Sequence, residues 1–526
     1  MLAVSALPLL WACIGACCWA CTAADYSRRA DRDADRILTA RHDDVLATRE
    51  QDALQPEPAA PVTEAEAEAD LQEQAEVAVL DLRGALAIAY ETNRDFLFER
   101  EQLRLSALAL SSVRHAFSPQ LALTLGYAFG DPADAEHLNT STAAFSVSQI
   151  LSTGGRLTLD AAAGKSEPGG ASPEYDSLVG LTLVQPLLRG GGHEVSHEPL
   201  VQAERSLVYA LRDFELFRES FSIDVARRFY ALVNQKQTIV NQRRNLESNE
   251  FARRQAEALF AVGRRDELNV LRARRSELTA RNDLLQAEEG LRLALDTFRI
   301  FLGLPEDQPI DVEADAPAFT PIDFDVGSAI AVAFANRLDL LNRREQLEDV
   351  ERGVRLAKND LLPDLDLVLG TRYGTLDSGE SPFGGNLERA DSSIGVTLGV
   401  PIDRLNQRNA YRSAQIALDR AHRSLDQFED TLRVEIQSSF RELERRELSL
   451  EIQRQLIEDQ TKNLRIAELR FERGEIENRD VVEANQSLLD AQNSLIDEQV
   501  SYEIERLELL QDLGILFVDE QGMWKR

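Results

Sequence analysis

Beyond its first 21 residues this chain has no cysteine: Cys13, Cys17, Cys18 and Cys21 are the four it holds in 526 residues. The rest of the chain can therefore form neither a disulfide nor a thiolate metal site, whatever its compartment. Aromatic residues make up 6% and charged residues 28%, and proline is sparse after the N-terminal region, a balance that favours long helices over compact mixed domains. The net charge of −32 has no basic patch to offset it. Acidic faces repel phosphate and attract cations, so nucleic acid is excluded as a partner. The six histidines are scattered, no serine or cysteine has a plausible base nearby, and the glycine pairs at Gly154-Gly155 and Gly190 to Gly192 lack the Lys-Ser/Thr of a phosphate loop. No cofactor is implied. After the opening segment no run approaches the roughly 18 apolar residues of a spanning helix. If the mature chain crosses a membrane, it must do so as β-strands.

What the sequence does have is a duplication. One constant offset carries Ala85 to Gly126 onto Ala329 to Gly370 without a gap, so that Arg100-Glu101-Gln102-Leu103 recurs as Arg344-Glu345-Gln346-Leu347 and Pro119 recurs as Pro363. A second constant offset carries Ala203 to Gly303 onto Ala414 to Gly514, placing Phe229 on Phe440, Gly263 on Gly474 and Leu302 on Leu513. The unit is too long for a small solenoid repeat and reads as one large module present twice.

Met1 to Cys21 is apolar and is followed abruptly by Asp25, Arg28 and Arg29, the pattern of an export signal. Ile14-Gly15-Ala16-Cys17 resembles a lipobox, whereas Cys21 sits better against the start of the polar segment, so lipidation at Cys17 or Cys21 stands beside a cleaved signal or a short anchor. Residues 22–76 are polar and acidic, including Glu64-Ala65-Glu66-Ala67-Glu68, and are expected to be a disordered tether. The first repeat then runs over 77–320 and the second over 321–516, with a C-terminal tail at 517–526.

Helical periodicity starts near Val79 and runs to about Ala116, where Pro119 ends it. The period then changes from 3.6 to 2. Leu121, Leu123, Leu125, Tyr127 and Phe129 alternate with small or polar residues, and a returning strand carries Val179, Leu181 and Leu183 before Pro186. The second copy repeats this with Leu365, Leu367 and Leu369, then Ile394, Val396, Leu398 and Val400 before Pro401. The first half holds one further hairpin pattern around Thr153-Gly154-Gly155, whose place in the sheet the sequence leaves open. Four strands with one apolar face cannot close a barrel alone; either several chains complete one in lipid, or the strands pack as a soluble sheet.

From Ala203 to Phe260 apolar residues step by three and four, and the duplicate does the same. A helix of that length is roughly 85 Å long, far more than a compact domain needs. Gly263 and Gly474 interrupt the two copies, and second helices return over 266–301 and 478–513, so each half is a helical hairpin with its tip at the glycine.

These residues together resemble the TolC family of outer-membrane efflux and secretion channels. The resemblance is carried by the strand starts Pro119-Gln120-Leu121 and Pro363-Asp364-Leu365, the exit Gln185-Pro186-Leu187-Leu188-Arg189-Gly190-Gly191, and the tip Phe471-Glu472-Arg473-Gly474-Glu475-Ile476 leading into Asp480-Val481-Val482-Glu483. It implies a mostly α fold with transmembrane β: long antiparallel helical hairpins plus about four strands per protomer, the extra hairpin aside. It further implies a homotrimer in outer-membrane lipid, extending into the periplasm, with twelve strands in its barrel. The implied partners are a periplasmic adaptor (membrane fusion) protein and an inner-membrane RND or ABC transporter. The implied role is passive export in a tripartite efflux or type I secretion system. The family closes its tunnel with acidic side chains near the tip, and the matching positions here are Asp480 and Glu483. Three chains would stack them as two acidic rings that favour cations, bind divalent metals and raise one another's carboxylate pKa values. The first-repeat counterparts are Asn269 and Arg272, beside Arg264 and Arg265, facing Glu475 and Glu477 in the second. Pairs such as Arg272 with Glu483 or Arg264 with Glu475 are expected to latch the entrance.

One rival motif remains. His193-Glu194-Val195-Ser196-His197 fits the His-Glu-x-x-His pattern of zinc peptidases, but three glycines precede it and Pro199 follows, which argues against a helix through both histidines. A metalloprotease and a purely structural periplasmic coiled coil are thus the alternatives to an export duct.

Overall fold

A computed structural model describes residues 23–50, 78–130, 138–168, 174–263, 266–314, 319–322, 325–377, 390–473 and 475–524. The chain divides into two compact units, one gathering Met1–Ala47, Gln102–Leu211 and Asn342–Gln427, the other Thr48–Glu101, Arg212–Leu341 and Phe428–Arg526. Each unit draws on both sequence repeats.

The first unit is built on the alternating segments. They form six antiparallel strands in one sheet: β2 (Gln120–Gly130), β3 (Leu138–Ile150), β4 (Arg156–Pro168), β5 (Glu174–Pro186), β7 (Asp364–Asp377) and β8 (Ala390–Gly399), in the order β2-β3-β4-β5-β7-β8. Directly opposed residues share a face, so the register sorts the side chains. Leu121, Val147, Leu159 and Leu181 lie in one row, and Leu157, Leu183, Leu369 and Ile394 in another. The opposite face carries rows such as Ala122, Ser146, Asp160, Gly180, Arg372 and Asp391. The apolar face is uncovered: Leu121 is 69% and Ile394 77% exposed. The hairpin that the sequence left unplaced is thus inserted between β2 and β5, so that the four expected strands and the extra hairpin make six. Its turn is fastened at the base. Gly192 N donates to Thr153 O at 3.0 Å, Ser196 Oγ to Ser152 O at 2.9 Å and Gln185 Nε2 to Thr153 O at 3.0 Å. Gly154 turns there at φ +86°, where a Cβ would meet Gly190 O at 2.5 Å.

Residues 23–50, expected as part of a disordered tether, form helix α1 (Ala23–Glu50). It lacks a broad apolar stripe, which is why periodicity missed it; Ala34 is 1% exposed, and Arg41 and Asp35 reach Glu204 and Arg104. Both Arg41 and Arg114 contact Glu204. Other elements of this unit are parts of α3 (Arg94–Ala116), α4 (His193–Ala261), α7 (Leu338–Asn359) and α8 (Leu405–Glu472). Between α4 and α7 lies a polar network in which Asp349 accepts from Tyr209 at 2.8 Å and pairs with Arg205 and Arg352. Burial would push the Asp349 carboxyl up, but Tyr209, Gln202 and the two arginines outweigh it and hold it below its ordinary value.

The second unit holds the remaining helix. The segment expected as one helix from Val79 is divided: β1 (Ala78–Leu80) pairs in parallel with β6 (Ile310–Val312), and α2 (Leu82–Thr92) ends at Asn93 before α3 begins. Asn93 Oδ1 accepts from Phe96 N at 2.9 Å, so an asparagine caps a new helix within an unbroken apolar period. The duplicate breaks in the same way, α6 (Val326–Asn336) giving way to α7 at Arg337. Each break is covered by a left-handed glycine that ends the hairpin of its own repeat. A Cβ on Gly303 (φ +81°) would meet Thr92 O at 2.2 Å, and one on Gly514 (φ +69°) would meet Asn336 C at 2.9 Å.

The two junctions differ in chemistry. In the first, Asn93 Nδ2 donates to Phe301 O at 2.6 Å and Thr92 Oγ1 to Leu302 O at 2.6 Å. In the second, the Arg337 guanidinium contacts Asp339, Glu435 and Asp512. Burial pushes the Asp512 carboxyl up to about 6, helped by Glu435 and Glu508 and opposed by the Ser439 hydroxyl and Arg337. The core of this unit includes Leu86, Val225, Leu232, Leu302 and Leu507, each worth roughly 1.5–3 kcal/mol when fully buried. The segment assigned as a tail packs on it, with Val518, Met523 and Trp524 against the cluster and Arg218 Nη2 donating to Asp519 O at 2.8 Å. No described helix is long and apolar enough to cross a membrane.

Candidate functional site

In the second unit α4 and α5 (Glu267–Leu302) form the first helical hairpin, and α8 and α9 (Asn478–Asp512) the second. Gly263 closes the end of α4 at φ +69°; Gly474, Arg264 and Arg265 lie outside the described residues, as do Cys17 and Cys21.

The returning helices start with equivalent residues that divide their labour differently. On α5, Asp266 is the N-cap, accepting from Asn269 N at 3.1 Å and from Asn269 Nδ2 at 2.8 Å. On α9, Glu477 is the N-cap and Asp480 accepts from its backbone N–H at 3.0 Å, in a capping box. One oxygen of Glu477, Oε2, also accepts from Arg272 Nη1 on α5 at 3.1 Å. The cross-hairpin partner of Arg272 is therefore Glu477, not Glu483. Capping sets the choice: it fixes Glu477 at the start of α9, next to α5. Glu475 pairs within its own hairpin, with Arg470 at 3.6 Å. Asp480 is half-buried and Glu483 exposed, three residues apart on α9.

Behind the tip the two hairpins meet through amides. Asn241 Nδ2 donates to Asn493 Oδ1 at 2.7 Å and Asn485 Nδ2 to Asn245 Oδ1 at 2.8 Å, while Asn249 Nδ2 donates to Asn245 Oδ1 at 2.9 Å. Asn241, Asn245 and Asn249 are all buried. Polar groups in a helical seam specify register at a cost in stability. Their four-residue spacing was visible in the sequence, but their burial was not. A cavity of about 370 Å³ beside them is lined by Asn245, Asn249, Arg272, Arg275 and Arg479 among others.

The peptidase motif forms helix after all: α4 begins at His193 and runs through His197 and Pro199. Gly192 O accepts from Ser196 N at 3.1 Å, so the chain turns onto the helix at the glycines, and Pro199, so near the start, forfeits a single bond. The two imidazole rings are 4.1 Å apart. Even so, Glu194 is committed to an ion pair with Arg355, and His197 Nδ1 shares a hydrogen bond with Ser196 Oγ at 3.1 Å. Among the described residues no group of three or more His, Cys, Asp or Glu could hold a metal. The chemistry of a metalloprotease has no third ligand and no free base here.

A family model described as outer membrane efflux protein matches residues 85–304 and 329–514. The fold is similar to crystal structures of the outer membrane protein VceC from Vibrio cholerae (17% identity, TM-score 0.63, covering 82% of this chain and 96% of that one) and the CmeC outer membrane channel of Campylobacter jejuni (17%, 0.61, 87% and 94%). It is also similar to the open state of the MtrE outer membrane channel of Neisseria gonorrhoeae (13%, 0.60, 88% and 98%). No curated protein sequence matches.

Proposed function

The chain belongs to the outer membrane efflux protein family, and we propose that it works as a homotrimer joined to a periplasmic adaptor and an inner-membrane RND or ABC transporter. It is an efflux channel of the outer membrane that extends into the periplasm, and its family is one of transport channels rather than enzymes. The observation that carries the reading is the sheet. A six-stranded wall with a greasy uncovered face and two unpaired edges, β2 and β8, is unstable alone in either water or lipid. Copies pairing edge to edge remove both edges. A second seam favours the same assembly: Leu271, Leu278 and Leu285 recur at heptad spacing along α5 and are all exposed, as are Val434, Leu448 and Ile452 on α8.

In the trimer Asp480 and Glu483 would form the periplasmic constriction, with Asp480 held by its capping bond and Glu483 free to face the pore. Two stacked rings of three carboxylates select cations and chelate divalent ions. The latch is the Arg272–Glu477 pair, present three times. Reconstitution in planar bilayers tests this: cation-selective pores blocked by divalent ions from the tip side are expected, and Asp480→Asn with Glu483→Gln should abolish the block. A chain that stays soluble without detergent and never conducts would instead support the structural coiled-coil reading.

A further inference from the structure

Building on that channel reading, we infer that three copies close a barrel of eighteen strands (3 × 6), half again as many as the twelve that four strands per chain would give, and that its bore is wide enough for bulky cargo.

The inserted hairpin is a full member of the wall. β3 pairs with β2 from Gln120–Ser148 to Gly130–Leu138, and β4 pairs with β5 from Arg156–Val184 to Ser166–Glu174, with no break in either ladder. Its turn is bonded to the strand exit and to the first turn of α4 through Thr153, Ser152 and Gly192, as described above. A surface flap would have neither feature. Six is also an even number, so β8 of one copy meets β2 of the next in antiparallel sense and the alternation continues around the ring.

Its two faces are those of a channel wall. Phe145, Val147, Leu157 and Leu159 continue the apolar face, while Thr142, Ala144, Ser146, Thr158, Ala162 and Gly164 face the other way. That second face is small along the middle of the hairpin, with Ile150 and Arg156 at its base. Asp160 and, at the base, Arg156 are its charges, one of each sign. Short side chains on the hairpin leave the lumen wide, while on the same face the flanking strands add Glu174, Asp176, Asp366 and Asp391 against Arg372.

Geometry sets the width. At a strand spacing of about 4.8 Å and a tilt of about 40°, eighteen strands close at a backbone diameter of roughly 36 Å and twelve at roughly 24 Å. The sheet unit carries segments of four long helices, α3, α4, α7 and α8. Twelve helices spaced by about 9–10 Å make a ring roughly 36 Å across. Eighteen strands match that ring.

Cryo-electron microscopy of the full chain purified in detergent counts the strands directly. Eighteen strands in a barrel about 36 Å wide are expected; a trimeric channel with twelve, or with β3 and β4 folded outside the wall, overturns the inference while leaving the channel reading intact. A native chain that forms no trimer would strike at the channel reading itself. A second variant deletes residues 134–171, so that β2 passes to β5 through a five-residue loop and antiparallel order is kept. It should still form trimers, with a barrel narrowed by about one third; an unchanged width overturns the inference. Should the variant fail to fold, the native count decides alone.

Discussion

Arg272 on α5 and Glu477 at the start of α9 are joined at 3.1 Å, an ion pair that links the two hairpins near the tip. Both side chains are about half exposed, so one such pair is worth about 0–1 kcal/mol and three act together only weakly. A latch of that strength, as proposed above, would hold a gate shut at rest and yield to a partner that offers replacement contacts.

Replacing Arg272 with Ala should therefore raise single-channel conductance several-fold at low ionic strength, with a smaller effect in molar salt, where exposed pairs are screened. The exchange Arg272→Glu with Glu477→Arg should return conductance toward the native value. Equal conductance in native and Arg272→Ala channels at low salt would remove the latch.

Asp512 gives stability a pH dependence of defined sign. Burial lifts its pKa to about 6 in the folded chain, above the ordinary 3.8, so the folded state holds the proton more tightly. That contribution is fully present below the unfolded pKa and is lost as pH rises through 6. Asp512→Asn should remove this loss, making the variant more stable than the native chain at pH 7.5 by up to about 3 kcal/mol and by much less at pH 4.5. Helix unfolding followed by circular dichroism across that range would show it; a gap that does not change with pH would refute it.

The left-handed glycines at the two helix breaks should respond unequally. An alanine at Gly303 meets Thr92 O at 2.2 Å, whereas at Gly514 the closest approach is 2.9 Å. Both changes impose backbone strain of about 1–2 kcal/mol and a clash with backbone, the deeper one at Gly303. Denaturant midpoints should fall in the order native, Gly514→Ala, Gly303→Ala.

Among the buried amides, Asn493→Ala leaves Asn241 with an unanswered donor and should destabilise by about 1–3 kcal/mol. Replacing both with leucine should be close to neutral or stabilising. A double variant as unstable as the single one would show that the pair does more than satisfy itself.

Much of this was legible in the sequence because it is periodic. The change from period 3.6 to 2 at Pro119 and Pro363, the doubled strands and the tip glycine at Gly263 all follow from spacing that repeats at a fixed offset. What escaped is local chemistry that leaves the period untouched. Asn93 and Arg337 break helices without interrupting the apolar rhythm. The glycines before His193 lie outside the helix, and Pro199, in the second turn of α4, forfeits one bond that a helix of 69 residues can spare. α1 is docked by a few contacts, Asp35 to Arg104 among them, instead of by a stripe. The latch partner depended on which carboxylate the α9 cap places beside α5, and that is decided by geometry at a helix end, beyond what charge counting can rank.

The hairpin of β3 and β4 leaves the wall on the side where it came in, between Gly130 and Glu174. Such an insertion alters the calibre of the pipe without rerouting a single helix below it. A lineage could widen or narrow its outlet by one in-frame duplication or loss, keeping its helical hairpins unchanged, and the wall would be the part of this channel most open to inherited change.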